Sequence, residues 1–335
     1  MKITRPLRIL ATSTIVATLC LPALAPAQEV RWRASGSFTA NHSSSIAMEI
    51  FKSEVARLSK GAIRIDLFPD NTLGGAFEQV DQVRTGQIQL AWAGPSFYDK
   101  LVPELAAAVL PFAATSSHQA ACQIDGEFGS YLQDKAAEKD VLLLGWGMIG
   151  ARHVTNNSRP IKSVEDMEGL KIRTPSGEAW TLTFRALGAN PTPIDIKELY
   201  QALQQGVVDG QENPYDNMLV RKFYEVQKYL SNTGHFHDWV IYVVNKEAFD
   251  KLKPEHQAAV REAMFIAVAA QRAISEREIR TARQGLVDGG MEYYEIPPAE
   301  LAKFRDKTVP VYAEVRKRVG DEVMDLAEAA IERCR

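Results

Sequence analysis

Gly169-Leu170-Lys171-Ile172-Arg173-Thr174-Pro175, followed by Gln201-Ala202-Leu203-Gln204-Gln205-Gly206-Val207-Val208-Asp209-Gly210-Gln211-Glu212-Asn213-Pro214, is the stretch that decides how this chain folds. In the first run Leu170 and Ile172 alternate with Lys171 and Arg173, the period-two pattern of a strand with one apolar face. Arg173 leaves the sheet on the opposite side. Pro175 and Ser176 predict the start of a helix, so Arg173 stands near a strand's carboxyl end and a helix N-terminus, where open α/β folds favour anions. A surface salt bridge would use the same residue, and pattern alone does not separate the two readings. A helix with Leu199, Ala202 and Leu203 leads into the second run, opened by the capping-box pair Asp195 and Glu198 and ending near Gly206. Pro214 then holds Asn213 extended, with a carboxamide that both donates and accepts. A turn asparagine is its plainer reading.

Moving towards the N-terminus, strand patterns alternate with helical stripes. A strand at Val30–Ser35 leads into Ser43-Ser44-Ser45, read as the cap of a helix carrying Ile46, Ile50, Phe51, Val55 and Leu58. Ile63, Ile65 and Leu67 then alternate with charged residues, a helix with Phe77, Val80 and Val83 stops at Gly86, and strands follow at Ile88–Ala93 and Val141–Leu144. Such β-α-β alternation predicts an α/β fold with mostly parallel sheets flanked by helices. Towards the C-terminus, Trp239–Val244 reads as a central strand. From Pro254 to about Val287 there is no breaker, and a helix of that length, about 50 Å at ~1.5 Å per residue, exceeds what one lobe needs.

Gly145-Trp146-Gly147-Met148-Ile149-Gly150 has the spacing of a dinucleotide-binding loop, but the residues after it, from Ala151 to Pro160, carry no helical stripe. The sequence therefore predicts no nucleotide cofactor, and the glycines read as a flexible crossing between lobes. There is no G-x-S-x-G, no H-E-x-x-H and no phosphate loop. His235 and His237 beside Asp238 offer metal ligands but read as polar residues of a turn.

The first residues place Lys2, Arg5 and Arg8 before an apolar run from Ile9 to Leu24 and then Ala25-Pro26-Ala27. That is the order of a secretory signal peptide, 1–27, cut after Ala27. Losing three basic residues makes the remaining chain more acidic than the −3 of the whole sequence, which argues against nucleic-acid partners. Cys20 lacks the small preceding residue of a lipid-anchor site. Only Cys122 and Cys334 remain, too far apart in sequence to be judged bonded or free. Roughly 300 residues suit two lobes with a cleft between them.

The runs LFPDNTLGG (67–75), Val83 to Trp92, GLKIRTP (169–175), LGANPTPI (187–194) and QALQQGVVDGQENP (201–214) occur in an order that resembles the substrate-binding subunit of tripartite ATP-independent periplasmic (TRAP) transporters. The resemblance covers nearly all of the chain beyond the leader. It implies a two-lobed periplasmic binding protein fold, with strands crossing between lobes, a hinge and one long helix shared by both. It implies lobe I at 28–150 plus about 239–278, and lobe II at 151–238 plus about 279–335. By the same resemblance Arg173 forms a salt bridge to a ligand carboxylate, and Asn213 and Arg152 reach the same ligand. Trp92, Phe97 and Trp239 are candidate apolar walls by position; Trp180 is another, although it shares a helical stripe with Phe184 and Leu187 that reads as core. Gly94 and Pro95 stand where some sialic-acid binders of the family have an acidic residue, and the helix after Arg173 presents Trp180, which together argue against sugar acids as the ligand. The implied function is capture of a small organic acid in the periplasm, without catalysis, by a monomer that delivers it to the integral-membrane subunits of the transporter. A periplasmic enzyme acting on a small acid, or a protein presenting its ligand to a membrane sensor, are the alternatives.

Overall fold

A computed structural model describes residues 30–335. The leader, its cleavage point and Cys20 lie outside the described residues. In chain order the elements are β1 (Val30–Gly36), α1 (Ser43–Leu58), β2 (Ile63–Phe68), α2 (Ala76–Arg84), β3 (Leu90–Ala93), α3 (Ser117–Ile124), α4 (Glu127–Ala137), β4 (Val141–Asn156), β5 (Lys171–Thr174), α5 (Glu178–Ala186) and β6 (Asn190–Pro193). They continue with α6 (Ile196–Gln204), β7 (Gly210–Asn213), α7 (Tyr215–Val220), β8 (Tyr229–Asn245), α8 (Lys246–Asp250), α9 (Pro254–Asp288), β9 (Glu292–Tyr294), α10 (Pro298–Val319) and α11 (Asp321–Arg333).

The strands join in the order β2-β1-β3-β8-β4-β7-β5-β6, with β9 on β8. The flanking groups β2-β1-β3 and β7-β5-β6 are internally parallel, as the β-α-β pattern requires. The seam is not. The long strands β4 and β8 pair antiparallel with each other, and each holds one flank by a further antiparallel ladder. Register then fixes the layout of the molecule. β3 runs inward along β8 until Ala93 lies opposite Ile241, and β7 runs inward along β4 until Asn213 lies opposite His153. The carboxyl ends of the two parallel groups therefore face each other over the middle of the seam, and two α/β lobes share one pair of crossing strands.

Several expectations change here. The expected strands Val141–Leu144 and Trp239–Val244 are parts of strands of 16 and 17 residues, so His235, His237 and Asp238 lie within β8 rather than in a turn before it. Gly145–Gly150 is extended strand, not a loop, and no helix N-terminus follows it. Its glycines serve close packing. A Cβ on Gly147 would come within 2.7 Å of both Gln271 and Val240, and one on Gly145 within 2.7 Å of Val268. The β4·β8 register shifts at Leu143/Gly145, Met148/Gly150 and Arg152/Val154. At the middle shift Gln271 of α9 takes over as a strand partner, accepting from the Met148 N–H at 2.8 Å and donating to the Met148 carbonyl at 2.7 Å. An interrupted ladder is thus satisfied by a side-chain amide. The cap of α1 is His42, whose Nδ1 accepts from the Ser44 N–H at 3.1 Å, and the serines form a buried first turn instead.

α9 is the long helix the sequence predicts. Its first half packs with α1, β1 and β2 through Val260, Ala263, Met264 and Ala267, and its last turns pack with α6 and α7 through Ala282 and Leu286. A third cluster ties α4, α5, α10 and α11 together through Leu132, Phe184, Phe304 and Met324. α11 packs on α3, α4 and α10, and Cys334 beyond its end is disulfide-bonded to Cys122 in α3. The bond closes a loop of 212 residues, which removes much freedom from the unfolded chain. Replacing both cysteines by serine should lower the unfolding free energy by about 2–4 kcal/mol. Urea unfolding of the pair and the parent checks this, and equal midpoints would mean the bond adds no stability.

Candidate functional site

Where the two sets of strand ends meet there is a cavity. It is lined by Ser37 and Phe38 after β1, Gly94, Ser96 and Phe97 after β3, Arg173 and Pro175 at the end of β5, and Ile196 opening α6. Asn213 ends β7, Asn217 lies on α7 with Arg221 just beyond its end, and Ile149, Arg152 and Asp238 come from the crossing strands. Open α/β sheets bind ligands in this position, outside the carboxyl ends of their strands.

Arg173 is 1% exposed. Its Nε donates to the Ile194 carbonyl at 2.8 Å, while its Nη2 is buried with no partner among the described residues. Burial pushes its pKa down to about 9, with Glu212 opposing and Arg152 adding to the shift, so it remains a cation at neutral pH. An unpaired buried guanidinium is costly unless an anion joins it. Arg152 is the opposite case. It donates from Nε and Nη2 to the Glu212 carboxylate at 2.5 and 2.7 Å, from Nη1 to Asp238 at 2.6 Å, and from Nη2 to the Glu212 carbonyl at 2.7 Å and the Asn213 side-chain oxygen at 3.2 Å. Burial works against its charge, but the two carboxylates outweigh that and raise its pKa. Glu212 is fully buried and bonds His235 Nε2 at 3.0 Å as well; its pKa is pushed up by burial but held low overall by Arg152 and His235. Burial raises Asp238 despite Arg152. So the arginines the sequence paired have different surroundings: one is spent on protein carboxylates, the other is open to the cavity.

Asn213 is positioned through its side chain. Its oxygen accepts from Asn217 Nδ2 at 2.8 Å and its own Nδ2 donates to Gln211. Phe97 lines the cavity and meets Phe77 edge-on at 5.5 Å. The other three aromatic candidates do not line it. Trp92 is buried beneath Gly36, its Nε1 donating to Ser45 Oγ at 3.2 Å. Trp180 is buried against Phe236 with its ring 5.8 Å from the Arg152 guanidinium carbon, and Trp239 packs edge-on to Trp146. All three are buried in the core. Sequence reasoning missed Asn217 and Arg221. The signal was present: Asn213, Asn217 and Arg221 are four residues apart, the spacing of one helical face.

A family model for bacterial extracellular solute-binding proteins, family 7, matches residues 34–318. The chain belongs to this family. Among its family 7 relatives is the 2,3-diketo-L-gulonate-binding periplasmic protein YiaO of Escherichia coli K12, 33% identical over 247 residues, 74% of this chain and 75% of that one. Two solved neighbours show the same fold. The sugar acid binding protein DctPAm of Advenella mimigardefordensis, in complex with galactonate, superposes with a TM-score of 0.88 at 26% identity, covering 91% of this chain and 98% of that one. A TRAP periplasmic solute-binding protein of Polaromonas sp. JS666 bound to D-erythronate gives 0.86 at 30% identity, covering 90% and 99%. The family 7 assignment makes the fold that of TRAP solute-binding proteins, and none of the helices among the described residues is long and apolar enough to cross a membrane.

Proposed function

We propose that this family 7 protein captures a small organic acid in the periplasm, holds its carboxylate on Arg173, and delivers it unchanged to the integral-membrane subunits of a TRAP transporter. The observation that carries this reading is the buried Nη2 of Arg173, without a partner among the described residues, on the wall of the cavity. A planar guanidinium held at a strand end offers a carboxylate two parallel hydrogen bonds. Arg152 contributes by fixing Asn213, Glu212 and Asp238 around that position, and Phe97 with Phe38 supplies apolar wall. Binding without chemistry agrees with the carboxylates around the cavity: Glu212 and Asp238 are both engaged by Arg152, which leaves neither free as a base. The acids bound by the galactonate and D-erythronate neighbours support the ligand class. Export by the residue 1–27 leader agrees with the Cys122–Cys334 bond, since disulfides persist in oxidising compartments.

The test is a thermal-shift screen of the protein against aliphatic, hydroxy, sugar and dicarboxylic acids, with neutral sugars and cations as controls. An acid present at about 100 times its Kd should add about 2.7 kcal/mol of stability. Nuclear magnetic resonance spectra of that acid should be unchanged after incubation. A shift produced by neutral sugars alone, or conversion of the acid, would overturn the reading.

A further inference from the structure

The residue that the sequence reading left out touches three things at once. Arg221 follows α7, and its side chain is 10% exposed. Its Nε donates to Asn217 Oδ1 at 3.2 Å, and its Nη2 crosses to the opposite lobe, where it donates to the Ser37 carbonyl at 2.7 Å. Ser37 follows the carboxyl end of β1, on the far side of the seam from α7. The nearest carboxylate is Asp70, 3.6 Å from the same Nη2 and 54% exposed, too long for a hydrogen bond and well hydrated. Nη1 has no partner among the described residues, and the side chain lines the cavity beside Asn217, Ser37 and Ser96. Asn217 is itself fixed by Asn213, so α7 presents a chain of contacts, Asn213 to Asn217 to Arg221, that begins at the proposed carboxylate position and leads away from it.

We propose that Arg221 is a second ligand-directed cation and a specificity-determining residue: it reads an acceptor oxygen on the ligand beyond the carboxylate, and it does so only with both lobes in contact. This rests on the function proposed above. The ligand class that follows is an acid bearing a further hydroxyl, keto or carboxylate oxygen, as against an alkyl monocarboxylate. The reason is the donor count. Arg173 can serve one carboxylate, and a hydrocarbon tail seated against Arg221 would take water from its free donor without replacing the hydrogen bond, a penalty that disfavours ligands lacking an acceptor there. Because Nη2 is anchored on the Ser37 carbonyl, the donor is pre-oriented when the lobes meet and misplaced when they part.

The experiment is calorimetric titration of two chain-length series, butyrate, D-erythronate and succinate, and hexanoate, D-gluconate and galactarate, into the parent, Arg221→Gln and Arg221→Lys. In the parent, an oxygenated acid should bind at least about tenfold tighter than the alkyl acid of equal length, the range expected of one hydrogen bond to a charged group. Arg221→Gln should reduce that preference to about threefold or less while leaving the alkyl acid within about twofold. Arg221→Lys should keep part of the preference. Melting temperatures of the unligated variants within a few degrees of the parent establish that they fold; a variant that does not is replaced by Asn217→Ala, which removes the partner of Nε and should erode the same preference. An equal loss for alkyl and oxygenated acids would make Arg221 a structural residue and overturn the inference, as would an unchanged preference. Failure of every acid to bind the parent would instead overturn the proposed function.

Discussion

Arg173→Ala should weaken binding of the captured acid by about 30-fold to several thousand-fold, the equivalent of roughly 2–5 kcal/mol. The size follows from burial and from the single hydrogen bond, Nε to the Ile194 carbonyl, that the described residues make to this guanidinium. With the cation gone, the ligand's carboxylate would enter a low-dielectric cavity with neither its counter-charge nor the fork of donors. Arg173→Lys should recover only part, because an ammonium cannot supply two coplanar hydrogen bonds. The check is calorimetry with the acid and with its methyl ester on the parent and both variants. If the parent binds acid and ester alike, or Arg173→Ala binds the acid as tightly as the parent, Arg173 is not the carboxylate's partner. The unliganded Arg173→Ala variant should be at least as stable as the parent, since it removes a buried charge without a counter-ion.

Arg152→Ala should do something different. It should lower the unfolding free energy by about 3–5 kcal/mol, because Glu212 and Asp238 would be left buried without their shared cation. Both carboxylates are almost wholly out of water, so hydration offers little relief. Urea unfolding without ligand measures this directly. An unfolding midpoint equal to the parent's, together with lost affinity, would mean that Arg152 serves the ligand and not the fold. The double variant Arg152→Met/Glu212→Gln should regain part of the loss, since the buried cation and one of its counter-charges leave together.

The contrast between these arginines shows what a sequence can and cannot express. Arg173 was legible because a strand's alternation states which face a side chain takes, and GLKIR puts apolar residues on the other face. Arg152 lies in a long strand two residues after Gly150, and nothing nearby reveals that Glu212, 60 positions on, and Asp238, 86 positions on, converge on it. The helix Pro254–Asp288 was legible because it lacks breakers. The role of the glycines at 145–150 was not, for their requirement comes from Gln271 and Val268 packing against them from α9. Trp92, Trp180 and Trp239 illustrate the same limit: a large apolar residue near a motif fits a cavity wall and a core equally well until the neighbouring layer is in place. Arg221 could have been found from its four-residue spacing, but its meaning depends on the Ser37 carbonyl, 184 residues away. The Cys122–Cys334 pair likewise depends on α11 returning to α3.

The register shifts in β4 and β8 bear on how such a molecule opens. No slack loop joins the lobes along the seam; they are joined by two paired strands whose ladder is broken at three places and bridged at one of them by Gln271. A rotation of one lobe against the other has to be taken up as torsion of this ribbon, with Gln271 as a fixed clamp at its centre. The joint would then flex as a continuous ribbon with its give at the register shifts, without a segment that must melt and refold in each cycle.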